Sequence, residues 1–320
     1  MAIFTGMSKA LGGTEKESQK ELYFYGLVQQ HVLVTGGDGQ LGCALRALIG
    51  KMNLPFRFYF TDAGELDITD RSQIESFVVG QQIRYILNCA AYTAVDKAEE
   101  EREMAFTINA AGVENIALVA KQYGVKVIHL STDFVFDGAS TIPYDEESEP
   151  HPLSVYGETK LKGEQLLQAA GGEWLILRTS WLYSEYGSNF VKTMLRLMRE
   201  RELLTVVDDQ RGSPTYATDL AEMMIHILQQ SEANGWTNGL FHFSNRGQTS
   251  WYGFADAIRR VAGIENCKLV PVTTAEYPTA ARRPAYSVMD LTKISDRFRV
   301  EIPTWEEALQ RCLQNVKQSL

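Results

Sequence analysis

The sequence predicts an α/β fold: a doubly wound parallel sheet of the Rossmann type with a smaller C-terminal α/β domain. Short apolar runs alternate with helical segments through the first half of the chain, which is typical of parallel strands joined by helices. The runs are almost continuously apolar, as expected for strands that are covered on both faces. The first run is followed at once by a cluster of glycines.

The elements follow from these patterns in chain order. The predicted strands are HVLVT, FRFYFTD, IRYILNCA, KVIHLST and EWLILRTS. The predicted helices between them are QLGCALRALIG, RSQIESFVVGQQ, an alanine-rich segment over residues 99–124, and residues 153–170. After Ser180 the alternation loosens, and helices are expected over residues 189–201, 218–230 and 250–262.

These patterns divide the chain into three parts. Residues 1–30 lack a clear period and are interpreted as an N-terminal extension. Residues 31–180 form the domain with the predicted parallel sheet. Residues 181–320 form mainly a second, smaller domain, and some of its segments could return to the first.

Composition excludes several classes of protein. With 45% hydrophobic and 22% charged residues in 320, the chain has a globular composition. Its net charge of -9 argues against nucleic acid as a partner. No apolar run approaches the roughly 20 residues of a membrane span, and the first residues do not have the pattern of a secretory signal.

Cysteine spacing argues against a metal or disulfide framework. Cys43, Cys89, Cys267 and Cys312 are widely separated, and no Cys-x-x-Cys pair occurs. The simplest interpretation is buried free thiols in a reducing cytoplasm, so a cytoplasmic location is expected and no metal site is assigned.

The stretch HVLVTGGDGQLG carries a glycine motif that can be read in two registers. Gly37, Gly39 and Gly42 spell G-x-G-x-x-G, whereas Gly36, Gly39 and Gly42 spell G-x-x-G-x-x-G. Either motif follows a strand and opens a helix, where backbone N–H groups can approach a pyrophosphate. A purely structural turn is the alternative, but the combined context favours dinucleotide binding.

Two further features support a dinucleotide. Asp62 ends the second strand, 20 residues after Gly42, where its carboxylate can accept hydrogen bonds from the adenosine ribose. A carboxylate there repels a 2′-phosphate, which favours NADH over NADPH. Small residues after the third strand, Cys89, Ala90 and Ala91, leave room for a ligand or simply pack a strand end.

Tyr156 and Lys160 form a Tyr-x-x-x-Lys pair on one face of a predicted helix. A nearby ammonium lowers the pKa of a phenol and makes it a usable acid or base near neutrality. The pair alone is a weak signal, and a solvated helix face is the alternative. Thr132, however, ends the fourth strand at the same edge of the sheet, where its hydroxyl can bind a substrate carbonyl oxygen.

The chain resembles the extended short-chain dehydrogenase/reductases, and within them the dTDP-4-dehydrorhamnose reductases. The resemblance runs from about His31 to about Trp305. It rests on VTGGDGQLG, NCAAYTAVDKAE, STDFVFDG, VYGETKLKGE, LRTSWLY, NFVKTMLRL, DDQRGSPTYATDLA and RRPAYSVMD. It departs at Phe134, where many relatives have tyrosine, and in residues 1–30, which have no counterpart.

The resemblance implies a role for each site residue. Extended members use G-x-x-G-x-x-G, which selects Gly36, Gly39 and Gly42. The implied catalytic residues are Tyr156, Lys160 and Thr132. The implied cofactor contacts are Gly36, Asp38, Gly39, Gln40, Leu41, Gly42, Asp62, Asp67, Ile68, Ala90, Ala91, Tyr92, Thr93, Tyr156 and Lys160. The implied substrate contacts are Thr132, Asp133 and Trp181, with Asn189, Arg211 and Arg283 as candidates for the diphosphate.

The implied reaction is reduction of the 4-keto group of dTDP-4-dehydro-L-rhamnose by NADPH or NADH. Residues 31–180 would then bind the dinucleotide and residues 181–320 mainly the sugar nucleotide. Mg²⁺ is suggested by the resemblance alone, since the sequence shows no ligand cluster for it. A homodimer is considered as the assembly state.

Three other functions compete with this reductase reaction. A sugar-nucleotide 4,6-dehydratase would need glutamate directly after Asp133, where this chain has Phe134. A 4-epimerase uses the same tyrosine and lysine but keeps its NAD tightly bound. The regulatory beta subunit of methionine adenosyltransferase, which this sequence also resembles, would bind the dinucleotide without turnover.

Overall fold

In a computed structural model of the chain, residues 29–318 are described. The strands are β1 (Gln30–Thr35), β2 (Phe56–Thr61), β3 (Ile83–Asn88), β4 (Lys126–Thr132), β5 (Trp174–Thr179), β6 (Leu182–Tyr183), β7 (Leu203–Val207), β8 (Arg211–Gly212), β9 (Thr215–Tyr216), β10 (Gly239–His242), β11 (Thr249–Ser250) and β12 (Lys268–Val272). The expected N-terminal extension lies outside the described residues except for its last two.

The helices follow the predicted order. They are α1 (Gln40–Ile49), α2 (Arg71–Gly80), α3 (Val95–Ala98), α4 (Arg102–Phe106), α5 (Gly112–Tyr123), α6 (Val155–Ala170), α7 (Phe190–Glu200), α8 (Ala217–Asn234), α9 (Trp251–Ala262), α10 (Thr292–Phe298) and α11 (Trp305–Gln318). Short 3₁₀ turns occur at Asp133–Val135 and Thr274–Glu276. No helix over residues 29–318 is long and apolar enough to cross a membrane.

The main sheet is parallel throughout, which confirms the predicted fold class. In the described part of the chain its strands pair in the order β10-β5-β4-β3-β1-β2. The order reverses between β1 and β3, so a crevice opens beyond the carboxyl ends of these two strands. This is the position where doubly wound sheets bind ligands.

Alternating side chains of the strands bury both faces of this sheet. On β1, Val32 packs in one core with residues of α1 and α8, whereas Leu33 packs in another with residues of α2 and α5. β10 and α8 lie after residue 180 and still belong to this layered unit. The domain boundary near residue 180 stays a prediction.

A separate hydrophobic core lies in the second half of the chain. It joins α7, α9 and α11 to the parallel pair β7 and β12, and it includes Val191, Phe254 and Leu309. Trp181, which follows β5, and Phe190 of α7 pack against this core, and both also line the cavity described below.

The helix predicted over residues 99–124 is interrupted. It begins at Arg102, and Thr107–Ala111 form a π-helical segment between α4 and α5. The wider turn contains the buried Asn109, whose amide accepts from the Tyr92 backbone N–H at 2.8 Å and donates to the Thr159 hydroxyl at 3.1 Å. Such segments often occur at functional sites.

Candidate active site

A cavity of about 940 Å³ lies at the carboxyl ends of the sheet strands. Its size suits a cofactor together with a substrate. Of the residues expected from the sequence, the cavity is lined by Gly36, Asp38, Gly39, Gln40, Leu41, Gly42, Asp62, Asp67, Ile68, Ala90, Ala91, Thr93, Thr132, Asp133, Tyr156, Lys160, Trp181, Asn189 and Arg283.

The glycine loop shows why Gly36 and Gly42 must be glycine. Gly36 has φ +65°, and a Cβ there would lie 2.8 Å from the Ala90 nitrogen. A Cβ on Gly42 would lie 2.4 Å from the Gly37 carbonyl oxygen. Gly37 is buried behind the loop and donates to Thr61, and it does not line the cavity. The geometry therefore favours the register of Gly36, Gly39 and Gly42.

The start of α1 is open to a ligand. Gly39 is its N-cap and offers no side chain to bind the first N–H groups of the helix. Unsatisfied N–H groups at a helix start, together with the helix dipole, attract phosphate. The cradle therefore suits the pyrophosphate of a dinucleotide.

Acidic side chains lie on the far side of the glycine loop. Asp62 accepts hydrogen bonds from the backbone N–H groups of Asp38 and Ala63, each at 3.0 Å. Arg46 approaches Asp38 at 3.3 Å and lies over the Phe60 ring. A cation therefore accompanies the acids next to the expected adenosine ribose, which weakens the argument from Asp62 against a 2′-phosphate.

Tyr156 and Lys160 both reach the cavity from the first turns of α6, whose N-cap is Ser154. Surrounding protein atoms raise the pKa of Tyr156 to about 12, although its ring keeps some exposure to the cavity. Hydrogen bonding with Thr132 opposes this rise. Tyr156 therefore carries its proton at neutral pH and can act as an acid.

Lys160 is anchored on the strand that precedes its helix. It is only 2% exposed, and its Nζ donates to the Leu130 carbonyl at 2.6 Å. Burial lowers the pKa of Lys160 to about 8, and the charge of Glu164 opposes that shift. The ammonium is thus held by the backbone of β4, and the expectation that it lowers the pKa of Tyr156 stays a prediction.

The end of β4 contains buried polar side chains beside the cavity. Ser131 and Asp133 both line the cavity, while the Oγ of Ser131 and the Oδ2 of Asp133 are buried below its surface and have no hydrogen-bond partner among the described residues. Burial raises the pKa of Asp133 to about 6, and hydrogen bonding with Ser287 and Thr132 opposes this rise. Asp133 therefore holds its proton more tightly than an exposed carboxyl does.

Two glycines allow α6, the helix that carries Tyr156 and Lys160, to pack closely against its neighbours. A Cβ at Gly157 would lie 2.2 Å from the Phe134 carbonyl oxygen, and one at Gly163 would lie 2.2 Å from that of Asn109. Backbone therefore packs directly on backbone on either side of Lys160. The position of α6 relative to β4 and the π-helical segment is fixed by these contacts.

Aromatic side chains form one part of the cavity wall. Trp181 stacks on Trp251 with ring centroids 3.6 Å apart and an interplanar angle of 9°. Phe190 packs against Trp251 at 4.7 Å. Trp181 was expected from the sequence, whereas Trp251 and Phe190 were not.

The two remaining expected contacts that line the cavity are held by other parts of the chain. Asn189 caps α7 through its Oδ1 and donates to the side-chain oxygen of Gln40 at 2.8 Å. Arg283 forms an ion pair with Asp96 at 2.6 Å. Both side chains are therefore fixed before any ligand binds.

Tyr92 and Arg211 do not line the cavity. The Tyr92 hydroxyl donates to the Glu101 carboxylate at 2.5 Å, and its ring packs against Ala98 of α3 and Ala105 of α4. Arg211 is exposed, and its backbone N–H and C=O bond to Ala285 and Ser287. The ligand contacts expected of Tyr92 and Arg211 stay predictions.

Sequence reasoning missed other residues of the wall. These are Thr35, Ala63, Leu66, Thr69, Val95, Ile108, Leu130, Thr179, Ser180, Leu182, Gly187, Ser188, Phe190 and Trp251. Cys89, Ser131 and Phe134 also line the cavity, and the sequence placed them near it without a role as ligand contacts. Thr179 and Ser180 end β5 and could have been found by the rule that identified Thr132. Trp251 lies far along the chain and gave no such signal.

Comparison with known proteins shows the family of this chain. Residues 30–318 match the family model described as the RmlD substrate binding domain. The chain is 43% identical over 285 residues to a dTDP-4-dehydrorhamnose reductase of Aggregatibacter actinomycetemcomitans, covering 87% of this chain and 97% of that protein. It is 42% identical over 293 residues to the Escherichia coli K12 enzyme of that name, covering 89% and 98%.

Solved structures give the same result. The Bacillus anthracis dTDP-4-dehydrorhamnose reductase in complex with NADP is 40% identical with a TM-score of 0.84, covering 90% of this chain and all of that one. A Thermus thermophilus UDP-glucose 4-epimerase shares 18% identity and a TM-score of 0.75 over 91% of this chain and all of that one, which shows the fold alone. This chain therefore belongs to the dTDP-4-dehydrorhamnose reductase family.

Proposed function

We propose that this chain reduces the 4-keto group of dTDP-4-dehydro-L-rhamnose to give dTDP-L-rhamnose, with NADPH or NADH as the cofactor. The observation that carries the proposal is that Thr132, Tyr156 and Lys160 line the same cavity as the glycine loop. The names of its relatives and the NADP in the Bacillus anthracis structure support the same reaction and cofactor.

The residues around the glycine loop suit a dinucleotide. The backbone from Gly36 to Gly42 and the start of α1 would hold the pyrophosphate, and Asp62 would face the adenosine ribose. When bound, the reduced nicotinamide supplies the hydride for the 4-keto carbon. Lys160, anchored on the Leu130 carbonyl, would hold the nicotinamide ribose.

Tyr156 is proposed as the proton donor. Negative charge develops on the carbonyl oxygen during reduction, and the Tyr156 hydroxyl gives its proton to that oxygen. The high pKa of Tyr156 keeps this proton in place until the oxygen becomes basic. Thr132 hydrogen-bonds the same oxygen as charge builds.

The substrate contacts are proposed from other residues that line the cavity. Asp133 and Trp181 would contact the sugar, while Asn189 and Arg283 would lie toward the diphosphate. Arg211 and Tyr92 are left out of this proposal because neither lines the cavity.

The test is loss of reduced-nicotinamide absorbance when the protein meets dTDP-4-dehydro-L-rhamnose, with NADH and NADPH assayed separately. Tyr156→Phe should lower kcat by about 10²- to 10⁴-fold because the proton donor is lost. Its affinity for the cofactor should change far less than kcat, because the glycine loop and the start of α1 would still hold the pyrophosphate, and this separates lost chemistry from lost folding.

The same assay separates the alternatives. Cofactor binding without oxidation would contradict the reductase and favour a regulatory subunit. NAD that co-purifies with the protein and supports 4-epimerisation would favour an epimerase. Three expectations stay predictions: the homodimer, the cytoplasmic location and the use of Mg²⁺. Over residues 29–318, no group of three or more His, Cys, Asp or Glu side chains could hold a metal ion.

A further inference from the structure

Trp181 adopts a backbone conformation that side-chain-bearing residues rarely adopt. Its φ is +46°, and it lies between β5 and β6 on the wall of the cavity. A residue of this kind keeps such a conformation only where its surroundings enforce it, and these residues cluster at ligand sites. The structure must therefore contain groups that hold Trp181 in place.

Trp251 is the first of these groups. Its indole stacks on that of Trp181, with the 3.6 Å centroid separation of a full ring contact. Trp251 is itself fixed, because its ring N–H donates to the Gln210 side-chain oxygen at 3.1 Å and the Gln210 amide donates to Thr274 at 3.0 Å. These contacts exist without any ligand.

Gly212 is the second group. A Cβ at this position would lie 2.5 Å from Cε2 of Trp181, so the edge of the indole packs against the backbone of Gly212. Gly212 pairs with Thr249 in the short antiparallel ladder of β8 and β11. The same ladder ends at Ser250, the N-cap of α9, and so it also places Trp251.

We propose that Trp251 is a positioning residue for the sugar nucleotide: its stacked indole holds Trp181 in the left-handed conformation that presents Trp181 to the cavity. The inference rests on the proposed function, since it takes Trp181 as a sugar contact. Trp251 then acts on the sugar through Trp181, and the ladder of β8 and β11 links substrate recognition to the second half of the chain.

The test compares Trp251→Leu, which removes the ring stack, with Trp251→Phe, which keeps one stacked ring. Trp236→Phe is the control, because Trp236 does not line the cavity. Calorimetric titration with dTDP-L-rhamnose should show binding weakened about tenfold in Trp251→Leu and less than about threefold in Trp251→Phe. Titration with dTDP, which lacks the sugar, and with NADPH should give unchanged affinities.

A second variant tests the same proposal without changing Trp251, in case Trp251→Leu does not fold. Gly212→Ala leaves Trp251 intact but forces the Trp181 indole to move, and it should weaken dTDP-L-rhamnose binding while sparing dTDP. Circular dichroism adds a readout free of ligand, since the exciton signal of the stacked indoles should be lost in Trp251→Leu and kept in Trp236→Phe.

Each outcome decides the proposal. Equal loss of affinity for dTDP and dTDP-L-rhamnose would overturn it, because Trp251 would then support the fold in general. Unchanged binding of dTDP-L-rhamnose in Trp251→Leu would also overturn it. Failure of the wild-type protein to oxidise NADPH or NADH with the keto sugar would instead contradict the proposed function, so the two failures are distinguishable.

Discussion

Arg283 and Asp96 form a two-point ion pair beside the cavity, with Nη2–Oδ2 and Nη1–Oδ1 distances of 2.6 and 3.0 Å. Arg283 lies in the loop before α10, whereas Asp96 lies on α3 of the sheet domain. The pair therefore ties a late segment of the chain to the edge of the sheet. The guanidinium also lowers the pKa of Asp96, mainly through this hydrogen bonding.

We expect Arg283→Gln to raise the KM for the sugar nucleotide about tenfold, because a charge-assisted contact to the diphosphate would be lost. Asp96→Asn should raise it in the same direction by about threefold, since the guanidinium loses its two-point hold. Steady-state kinetics at saturating NADPH measure both. An unchanged KM in Asp96→Asn beside a raised KM in Arg283→Gln would show that Asp96 does not position Arg283.

Gly36→Ala should weaken NADPH binding about ten- to a hundredfold, because φ +65° and the close approach to Ala90 both oppose a side chain. Gly37→Ala is the matched control. Its Cβ would lie 3.0 Å from the Phe60 side chain, behind the loop, and should affect stability more than cofactor affinity. Fluorescence titration of NADPH decides between the two registers, and equal losses of affinity would contradict our choice.

Asp133 should give folding stability a specific pH dependence. Its pKa of about 6 in the folded protein lies above the ordinary value of 3.8, so the folded state holds the proton more tightly. The free energy of unfolding should therefore fall as pH rises between about 4 and 6. Urea unfolding of the wild type minus that of Asp133→Asn isolates this contribution. A difference that stays constant across the range would contradict the prediction.

The buried pair of Glu164 and Arg178 should be costly to break. The two side chains are almost fully buried and bond at 2.9 and 2.7 Å. Glu164→Gln should lower the free energy of unfolding by about 3–5 kcal/mol, because Arg178 would keep an uncompensated charge. The double variant Glu164→Gln, Arg178→Met should be less destabilised than the single one, and urea unfolding measures both. A double variant less stable than the single would contradict this explanation.

Much of the site could be predicted because it follows the ends of parallel strands. Thr132, Tyr156 and the glycine loop lie at positions that strand and helix periods fix within short stretches of sequence. The π-helical segment was missed because apolar period alone does not distinguish one widened turn inside a helix.

The residues that could not be predicted depend on long-range contacts. Trp251 reaches the cavity only through the ladder of β8 and β11, and two-residue strands leave almost no pattern in sequence. The Lys160 ammonium donates to the backbone carbonyl of Leu130, and side-chain motifs do not reveal a partner of this kind. Whether Tyr92 and Arg211 line the cavity also depends on neighbouring chain segments, which sequence motifs do not describe.

The glycines at 157 and 163 have a consequence for how this enzyme can change. Any larger residue at either position would push away the helix that carries Tyr156 and Lys160. Even a substitution by alanine is therefore expected to impair the reaction. New substrate preferences are expected to arise instead at other positions around the cavity, such as Trp181 and Asn189. Backbone packing thus constrains the helix that carries Tyr156 and Lys160, whereas cavity positions outside this helix are less constrained.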